Sequence, residues 1–316
     1  MPSPSCPRPE RLSLSEHLRA GGVPDDLRHL LLAIAQSAKY IQYALRTTGA
    51  DLAGTRNPFG EEQLKLDILS DTIIRQHLCE TRLVSACASE ERPALMKMDS
   101  HAKFMVVYDP LDGSSLVDAN FAIGSIFGVY PASETPPRMP REQVAALYVL
   151  YGPRTVLVYS TGKSVHEFLL NEVGEFVLLR EHIRLGEIAK NYSPGNLRAV
   201  TENTDYRRLV DHWLAEELTL RYSGCMVADI HHMLSKGQGV FTNVGGGSYP
   251  EGKLRLLFEC GPFAYILEHA GGKASNGQED ILDVPIRSFD QRTPVILGSA
   301  EEVRRAQRVL NPRKAP

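Results

Sequence analysis

No apolar run in the 316-residue chain reaches the ~20 residues that a membrane helix needs. The proline- and serine-rich start, Met1 to Glu10, lacks the apolar core of a signal peptide and reads as a loose tail. A cytoplasmic protein with no membrane partner is therefore expected. The five cysteines (Cys6, Cys79, Cys87, Cys225, Cys260) are odd in number, scattered, and without a C-x-x-C pair. That pattern argues against a thiolate zinc site and predicts reduced thiols. Charge of one sign is scarce as well. A net charge of −3 argues against a nucleic-acid binder that relies on bulk electrostatics, while leaving room for a local basic pocket.

Several catalytic signatures are missing too. Gly162-Lys163-Ser164 lacks the upstream glycine of a P-loop, and His166-Glu167 lacks the second histidine of a zinc helix. Gly245-Gly-Gly-Ser248 is not a G-x-G-x-x-G turn, and Gly124-Ser-Ile-Phe-Gly128 is not a nucleophile elbow. His231 and His232, on a predicted helix, are read as packing or capping residues. No internal repeat is present. Apolar residues at 43% and charged residues at 23% are ordinary, which excludes disorder as the main state and leaves ample length for a core.

What is present is an alternation of helices and strands. Leu27, Leu30, Leu31, Ile34, Ala35, Ala38 and Ile41 recur at helical spacing and predict a helix over Pro24–Tyr43. A polar loop over Gly49–Phe59 follows, punctuated by Asn57-Pro-Phe-Gly60. In the next helix, from Leu64 to Ile74, Asp67 and Asp71 at i and i+4 share one face. The usual meaning of such a pair is a solvated surface, though two like charges would welcome a cation. Strands are predicted at Leu83–Ala88, Phe104–Tyr108, Phe121–Tyr130, Val144–Tyr151 and Thr155–Tyr159, with a hairpin from His166–Leu170 and Phe176–Leu179. Ser193-Pro-Gly-Asn196 marks a junction. It divides the chain into a tail (1–20), an N-terminal domain (21–192) and a C-terminal domain (193–316). Beyond it come a helix over Asp205–Leu218, a strand near Leu218–Tyr222, a helix over Val227–Leu234 and a strand over Gly239–Val244. A helix begun by Pro262 and ended by Gly271-Gly272, a strand at Val295–Gly298 and a final helix complete an α/β (α+β) chain.

Acidic residues cluster at strand ends. Phe104-Met-Val-Val-Tyr108 reads as a buried strand that delivers Asp109 and Asp112 on a turn at its carboxyl end, where open α/β sheets bind ligands. Gly113 permits close approach of a ligand, and Ser114 and Ser115 add hydroxyls to backbone N–H groups suited to phosphate. On its own the segment admits two readings: magnesium holding a phosphoryl group, or a turn made of turn-favouring residues. Glu90 and Glu91 end another strand, and Glu259 and Asp67/Asp71 complete four acidic clusters. If they converge, they require cations or raised pKa values. Oxygen-only ligands point to Mg2+ or Mn2+, and two ions ~3.5–4 Å apart would clamp the attacking and leaving oxygens of an in-line phosphoryl displacement. Arg221, Tyr222, Lys253 and Arg255 stand in contexts that would hold a second anionic group, although a lone cation is more often a solvated surface charge.

At these residues the chain resembles the class 1 fructose-1,6-bisphosphatases and the related sedoheptulose-1,7-bisphosphatases. Three stretches carry the resemblance: Ser89-Glu-Glu91, Asp109-Pro-Leu-Asp-Gly-Ser-Ser115, and Gly252-Lys-Leu-Arg-Leu-Leu-Phe-Glu259 with Pro262 and Ala270-Gly-Gly272. Lys65-Leu-Asp67, Gly124–Gly128, Arg221-Tyr222 and Met226-Val-Ala-Asp229 support it. The D-P-x-D-G element also occurs in inositol monophosphatases, but their W-D-x-A-A-G element is missing. The resemblance implies a layered α/β/α/β/α sugar-phosphatase fold with two mixed sheets. It implies two or more Mg2+ (or Mn2+) ions held by Glu90, Glu91, Asp109, Asp112, Glu259 and the Leu111 carbonyl. It places the departing 1-phosphate on Gly113, Ser114 and Ser115, and the distal phosphate on Tyr222, Lys253 and Arg221 of a neighbouring subunit, hence a homodimer or homotetramer. Asp67 matches a catalytic acid, and a second family aspartate falls at Thr72 with Asp71 one place early. A loop before the Asp67 helix, here Gly49–Gly60, helps to complete such sites. The implied activity is hydrolysis of the 1-phosphate of fructose 1,6-bisphosphate, a small-molecule substrate. Ser193–Arg198 and Gly239–Asn243 look more like the sedoheptulose enzymes, whereas Met226–His231 and Pro294–Ser299 look more like the fructose enzymes. Sedoheptulose 1,7-bisphosphate, alone or as a second substrate, is therefore the alternative. A catalytically silent sugar-phosphate sensor is the alternative of another class. The plant regulatory cysteine pair would fall at Ala50 and Thr55 and is absent. Lys103-Phe104 matches part of the AMP site of the animal enzymes.

Overall fold

The computed structural model describes residues 12–49, 51–57, 62–132, 135, 137–246 and 249–311. The Met1–Glu10 tail, Cys6, the Pro58-Phe-Gly60 punctuation, Ala50 and part of the Gly245–Ser248 loop lie outside the described residues. Helices α1 (Leu14–Ala20) and α2 (Asp25–Thr47) come first, then the ribbon β1 (Leu52–Arg56) and β2 (Glu62–Leu64), and α3 (Lys65–Thr81). Strands β3 (Val84–Ser89), β4 (Met96–Lys97), β5 (Phe104–Asp112), β6 (Ile123–Pro131), β7 (Ala145–Tyr151), β8 (Thr155–Ser160), β9 (Val165–Leu170) and β10 (Phe176–Arg180) follow. They form one eight-stranded sheet in the order β10-β9-β8-β7-β6-β5-β3-β4. It is antiparallel throughout except where β3 pairs parallel with β5.

The second half supplies β11 (Asn191–Pro194), α4 (Thr204–Ala215), β12 (Thr219–Leu220), α5 (Met226–Lys236) and β13 (Val240–Asn243). It continues with α6 (Gly261–His269), β14 (Lys273–Ser275), β15 (Val295–Gly298) and α7 (Ala300–Leu310). Its strands form a five-stranded mixed sheet in the order β12-β11-β13-β15-β14. The central strands of the two sheets, β5 to β8, β13 and β15, are buried on both faces, which is why they read as apolar runs rather than alternating ones. The alternation shows in where side chains go. Phe127, Leu147, Val149 and Leu157 pack with Leu30, Ile34 and Ile74 of α2 and α3, while Ile126, Tyr148 and Val158 turn to Ile230 and Phe263 of α5 and α6. Phe241, Val295 and Leu297 reach the same middle layer from the second sheet, and Val240 and Ile296 face Trp213 and Val303 of α4 and α7. The result is the α/β/α/β/α layering that the resemblance implies.

Several elements depart from the sequence reading. Residues 14–20, expected within the tail, form a helix closed by a Ser13/Glu16 capping box, with Leu14 and Leu18 buried in the first core. The Gly49–Phe59 loop contains a strand, Leu52–Arg56, paired with Glu62–Leu64. Ser193 and Pro194, expected at a junction, lie inside β11 of the second sheet, so the chain crosses between sheets earlier, after Arg180. The helix expected to begin at Pro262 is preceded by one wide π-helical turn, Leu256–Cys260, that runs into α6. Pro262 has no N–H for an i→i−4 bond, and the wider turn falls just before it. Strand β14 was not expected. No helix among the described residues is long and apolar enough to cross a membrane.

Because α1 belongs to the core, truncating its fully buried Leu18 (0% exposed) is expected to cost ~2–5 kcal/mol in chemical unfolding of Leu18→Ala. A loss under ~0.5 kcal/mol, the range of a surface substitution, would show instead that the helix adds nothing to the fold.

Candidate active site

Asp109 and Asp112 are three residues apart, and on a regular strand an odd spacing sends side chains to opposite faces. They converge because β5 carries a bulge. Asp109 pairs with Ile126 and Asp112 with Gly124, so Pro110 and Leu111 stand opposite the single residue Ser125. Ser125 Oγ donates to the Pro110 carbonyl at 2.7 Å, and the Leu111 N–H donates to Asp109 Oδ1 at 2.9 Å, which fixes the distortion. Proline fits there because a bulge needs no ladder hydrogen bond from it. The pair thus sits within a strand end rather than on a turn beyond it. Gly113, at φ +80°, then turns the chain into Ser114 and Ser115; a Cβ on it would lie 2.8 Å from Cys225 Cβ.

Glu259 is delivered from the middle layer by the π-helical turn. Its carboxylate joins those of Asp109 and Asp112, with one oxygen of each within 4.8 Å of the others. A cavity of about 370 Å³ collects them with Asp67, Glu90, Glu91, Leu111, Gly113, Ser114, Ser115, Tyr222, Lys253 and Arg255. Most expected site residues, from elements and loops spread along the chain, are therefore brought together. Burial pushes Asp109 well above the usual carboxylate range, and the neighbouring charges of Glu90, Asp112 and Glu259 add to it. Burial likewise raises Glu259, with Glu90 adding and the Arg255 guanidinium opposing. Asp112 is raised to about 6 by burial, against hydrogen bonds from Val227 N–H (2.7 Å) and Cys225 Sγ (3.1 Å).

A set of buried carboxylates facing one another cannot all ionise without a compensating cation. Their all-oxygen donor set suits hard divalent ions, and Leu111 lies in the same wall. The residues present therefore fit a metal centre of the Mg2+ or Mn2+ type.

Other placements differ from expectation. Asp71 is buried but does not line the cavity; its carboxylate accepts from Arg92 Nε at 2.5 Å and from the Tyr108 hydroxyl at 2.9 Å. Thr72 is half-buried and donates to the Ile68 carbonyl. The i+4 face read as solvated is buried, Asp67 at 2% and Asp71 at 1% exposure. Arg255, read as a substrate anion holder, points its guanidinium at Glu90 (2.9 Å), and its N–H donates to Glu259 Oε2 at 2.6 Å. Arg221 is exposed and outside the cavity; its guanidinium donates to the Leu220 carbonyl. Tyr222 lines the cavity, its hydroxyl donating to the Gly195 carbonyl at 3.2 Å. Lys103 pairs with Asp26 at 2.6 Å. His231 packs and bonds to the Tyr148 hydroxyl at 3.0 Å, as expected of a core histidine.

The sequence reading missed Cys225, whose thiol meets Asp112, and Gln63, whose amide holds Glu91 at 2.5 Å. It also missed Asn57, Asp229, Asn243 and Tyr249 in the cavity wall. Asp229 closes the Met226-Val-Ala-Asp229 stretch and Asn57 lies in the Gly49–Gly60 loop, so both stood in segments that the resemblance had named.

A mixed α/β architecture with buried carboxylates beside a serine-bearing turn defines a sugar-phosphatase type of protein. The family described as "Fructose-1-6-bisphosphatase, N-terminal domain" matches residues 10–181, and "Fructose-1-6-bisphosphatase, C-terminal domain" matches residues 185–311. The chain belongs to the fructose-1,6-bisphosphatase family. It is 45% identical to a class 1 fructose-1,6-bisphosphatase of Geotalea uraniireducens over 94% of this chain and 95% of that one. Among solved structures, it is similar to a putative sedoheptulose-1,7-bisphosphatase of Toxoplasma gondii (TM-score 0.89, 34% identity, 96% of this chain and 99% of that one). It is also similar to the holo fructose-1,6-bisphosphatase of Leishmania major (TM-score 0.88, 31% identity, 95% of this chain and 99% of that one).

Asp112 carries a raised folded-state pKa, so its contribution to stability is full below the unfolded-state value near 3.8 and is lost as pH rises through about 6. In chelator, the stability of Asp112→Asn relative to the parent chain is expected to rise between pH 4 and above 6, and Mg2+ is expected to close that gap by stabilising the parent alone. Thermal midpoints with and without Mg2+ across that window check it; a flat difference would remove Asp112 from the buried set.

Proposed function

We propose that the chain hydrolyses the 1-phosphate of fructose 1,6-bisphosphate, releasing fructose 6-phosphate and inorganic phosphate in a Mg2+-dependent reaction. The observation that carries this reading is the convergence of Asp109, Asp112 and Glu259 beside Gly113-Ser-Ser115 in one cavity. Glu90, Glu91, Asp109, Asp112, Glu259 and the Leu111 carbonyl would hold two or more Mg2+ (or Mn2+) ions. When bound, those ions lower the pKa of water and offset charge on the phosphoryl oxygens and the leaving oxygen.

The chain's own groups supply the rest. The N–H groups and hydroxyls of Ser114 and Ser115 bind the phosphoryl oxygens, and Gly113 lets the ester come close to the backbone. Asp67, buried in the cavity wall with Oδ2 accepting from the Leu64 N–H at 2.7 Å, would take or give a proton there. Asp71 is assigned no such role, since Arg92 and Tyr108 already hold its oxygens. Arg255 offsets Glu90 and so keeps the acidic wall from repelling a bisphosphate. Lys253 and Tyr222 would hold the distal phosphate. Arg221, exposed on this copy, would reach the cavity of a second copy, making the working form a homodimer or homotetramer.

Sedoheptulose 1,7-bisphosphate is a second reading, favoured by the likeness to the Toxoplasma gondii structure. Phosphate release from each sugar at equal concentration separates the two, and a clear preference for the seven-carbon sugar would reverse the assignment. Turnover is expected to vanish in chelator and to fall at least ~100-fold in Glu259→Gln with KM little changed. Unaltered turnover in that variant would remove the carboxylate centre from the chemistry. Lys253→Ala is expected to raise KM ~10–100-fold, the worth of one charge-assisted hydrogen bond of ~1.5–3 kcal/mol, while kcat changes far less.

A further inference from the structure

Away from the catalytic cavity, three elements bring a second set of metal-ligating side chains together. His17 on α1, His166 on β9, and Glu181 just after β10 offer ligand atoms that all lie within 4.8 Å of one another. The histidines are buried, at 7% and 8% exposure, whereas Glu181 reaches solvent and leaves a path for an ion. Each ring is arranged as ligating imidazoles are, with one nitrogen fixed by a hydroxyl. His17 Nδ1 lies 2.8 Å from the Tyr159 hydroxyl, which leaves Nε2 facing Glu181 Oε1 at 2.9 Å. His166 Nε2 lies 2.6 Å from Ser164 Oγ, and its buried Nδ1 has no hydrogen-bond partner among the described residues.

That last atom is the telling one. When Nε2–H donates to Ser164, Nδ1 carries an unused lone pair in a buried setting, which is costly for a polar group. Burial, reinforced by the adjacent His17 and His182, pushes His166 down to about 4, so at neutral pH its ring is in the uncharged form that binds metals. His182 stands close by, its ring centroid 5.0 Å from that of His166.

We propose that His17, His166 and Glu181, completed by His182 or water, form a binding site for a divalent transition ion, with Zn2+ the best match. The site clamps the N-terminal helix to the outer strands of the large sheet. Two imidazoles and one carboxylate are borderline ligands that select Zn2+ over Mg2+, in contrast to the all-oxygen catalytic set. Bonds of ~2.0–2.1 Å place tetrahedral ligands ~3.4 Å apart, so the His17–Glu181 pair, at 2.9 Å, sits near that spacing, and the ligand atom of His166 starts within 4.8 Å of both. The ion takes the place of the proton shared by His17 and Glu181. His17 then donates Nδ1–H to Tyr159 and its Nε2 lone pair to the metal.

The test uses the full chain with Mg2+ in excess over the carboxylate centre, and Co2+ and Zn2+ as probes. One equivalent of Co2+ is expected to produce the visible absorption of a nitrogen-ligated low-symmetry site, lost in His166→Ala and in His17→Ala. Tyr159→Phe, which keeps the ring packing, is expected to weaken Zn2+ binding ~10–100-fold through the lost support of His17. Zn2+ is expected to raise the thermal midpoint of the parent chain but not of His166→Ala, whose Mg2+-dependent turnover stays at the parent level. X-ray absorption on the zinc-loaded parent chain decides the matter even if a variant unfolds, because it reads the ligand shell directly. A shell containing imidazole supports the site. An oxygen-only shell, or equal affinity in all the variants, overturns it and leaves a histidine–carboxylate ion pair beneath α1.

Discussion

Charge taken out of water is the constraint around which this molecule is arranged. Asp109, Asp112 and Glu259 face one another in a buried wall with Glu90, and burial drives the pKa of each of the three upward. An acidic wall of this kind is a poor contributor to stability on its own. It persists because the rest of the fold holds it: a guanidinium, Arg255, is buried against Glu90, and backbone N–H groups are aimed at Asp112 and Glu259. Divalent cations, in turn, would gain from every negative charge the fold has forced together, and an anionic ester would gain only through them. The same electrostatic arrangement thus disfavours the metal-free chain and favours the bound one.

Two irregularities of backbone make that arrangement geometrically available. The bulge at Pro110-Leu111 turns an odd spacing into a same-face pair, and the π-helical turn at Leu256–Cys260 brings Glu259 to them from the middle layer. Both sit where the two sheets' layers meet, so the site is built from the packing of the halves rather than from either alone. Around it, the pairing of β3 and β5 as parallel strands puts Glu90 and Asp109 at neighbouring strand ends. That is the one parallel contact of the large sheet, and it coincides with the acidic wall.

Much of the fold was legible because buried sheets and amphipathic helices write strong patterns. Leu27 through Ile41 announce α2 by spacing, and the run Phe104–Tyr108 announces β5 by composition. The boundaries were less legible. α1 is short, and its meaning depends on Leu14 and Leu18 finding a core that the local sequence does not mention. Ser193-Pro194 looks like a break by composition but is an in-register part of β11, because tertiary pairing with β13 overrides the turn preference of those residues. Asp67 and Asp71 share a helix face, yet one lines the cavity and the other is consumed by Arg92 and Tyr108. Helical spacing fixes direction around an axis and says nothing about which partner waits there.

By itself the sequence determined the alternation of helices and strands and the identity of the acidic and phosphate-seeking groups. Those follow from local periodicity and residue chemistry, and the family follows from the resemblance of its motifs to those of known enzymes. Only the tertiary structure decided which carboxylates meet, that Arg255 serves Glu90 rather than standing free, and that Cys225 and Gln63 support the acidic wall. It alone decided that His17 and His166, far apart along the chain, share one buried corner with Glu181. Convergence of that kind is set by sheet order, strand register and layer packing, and those are long-range quantities that no short stretch of residues encodes.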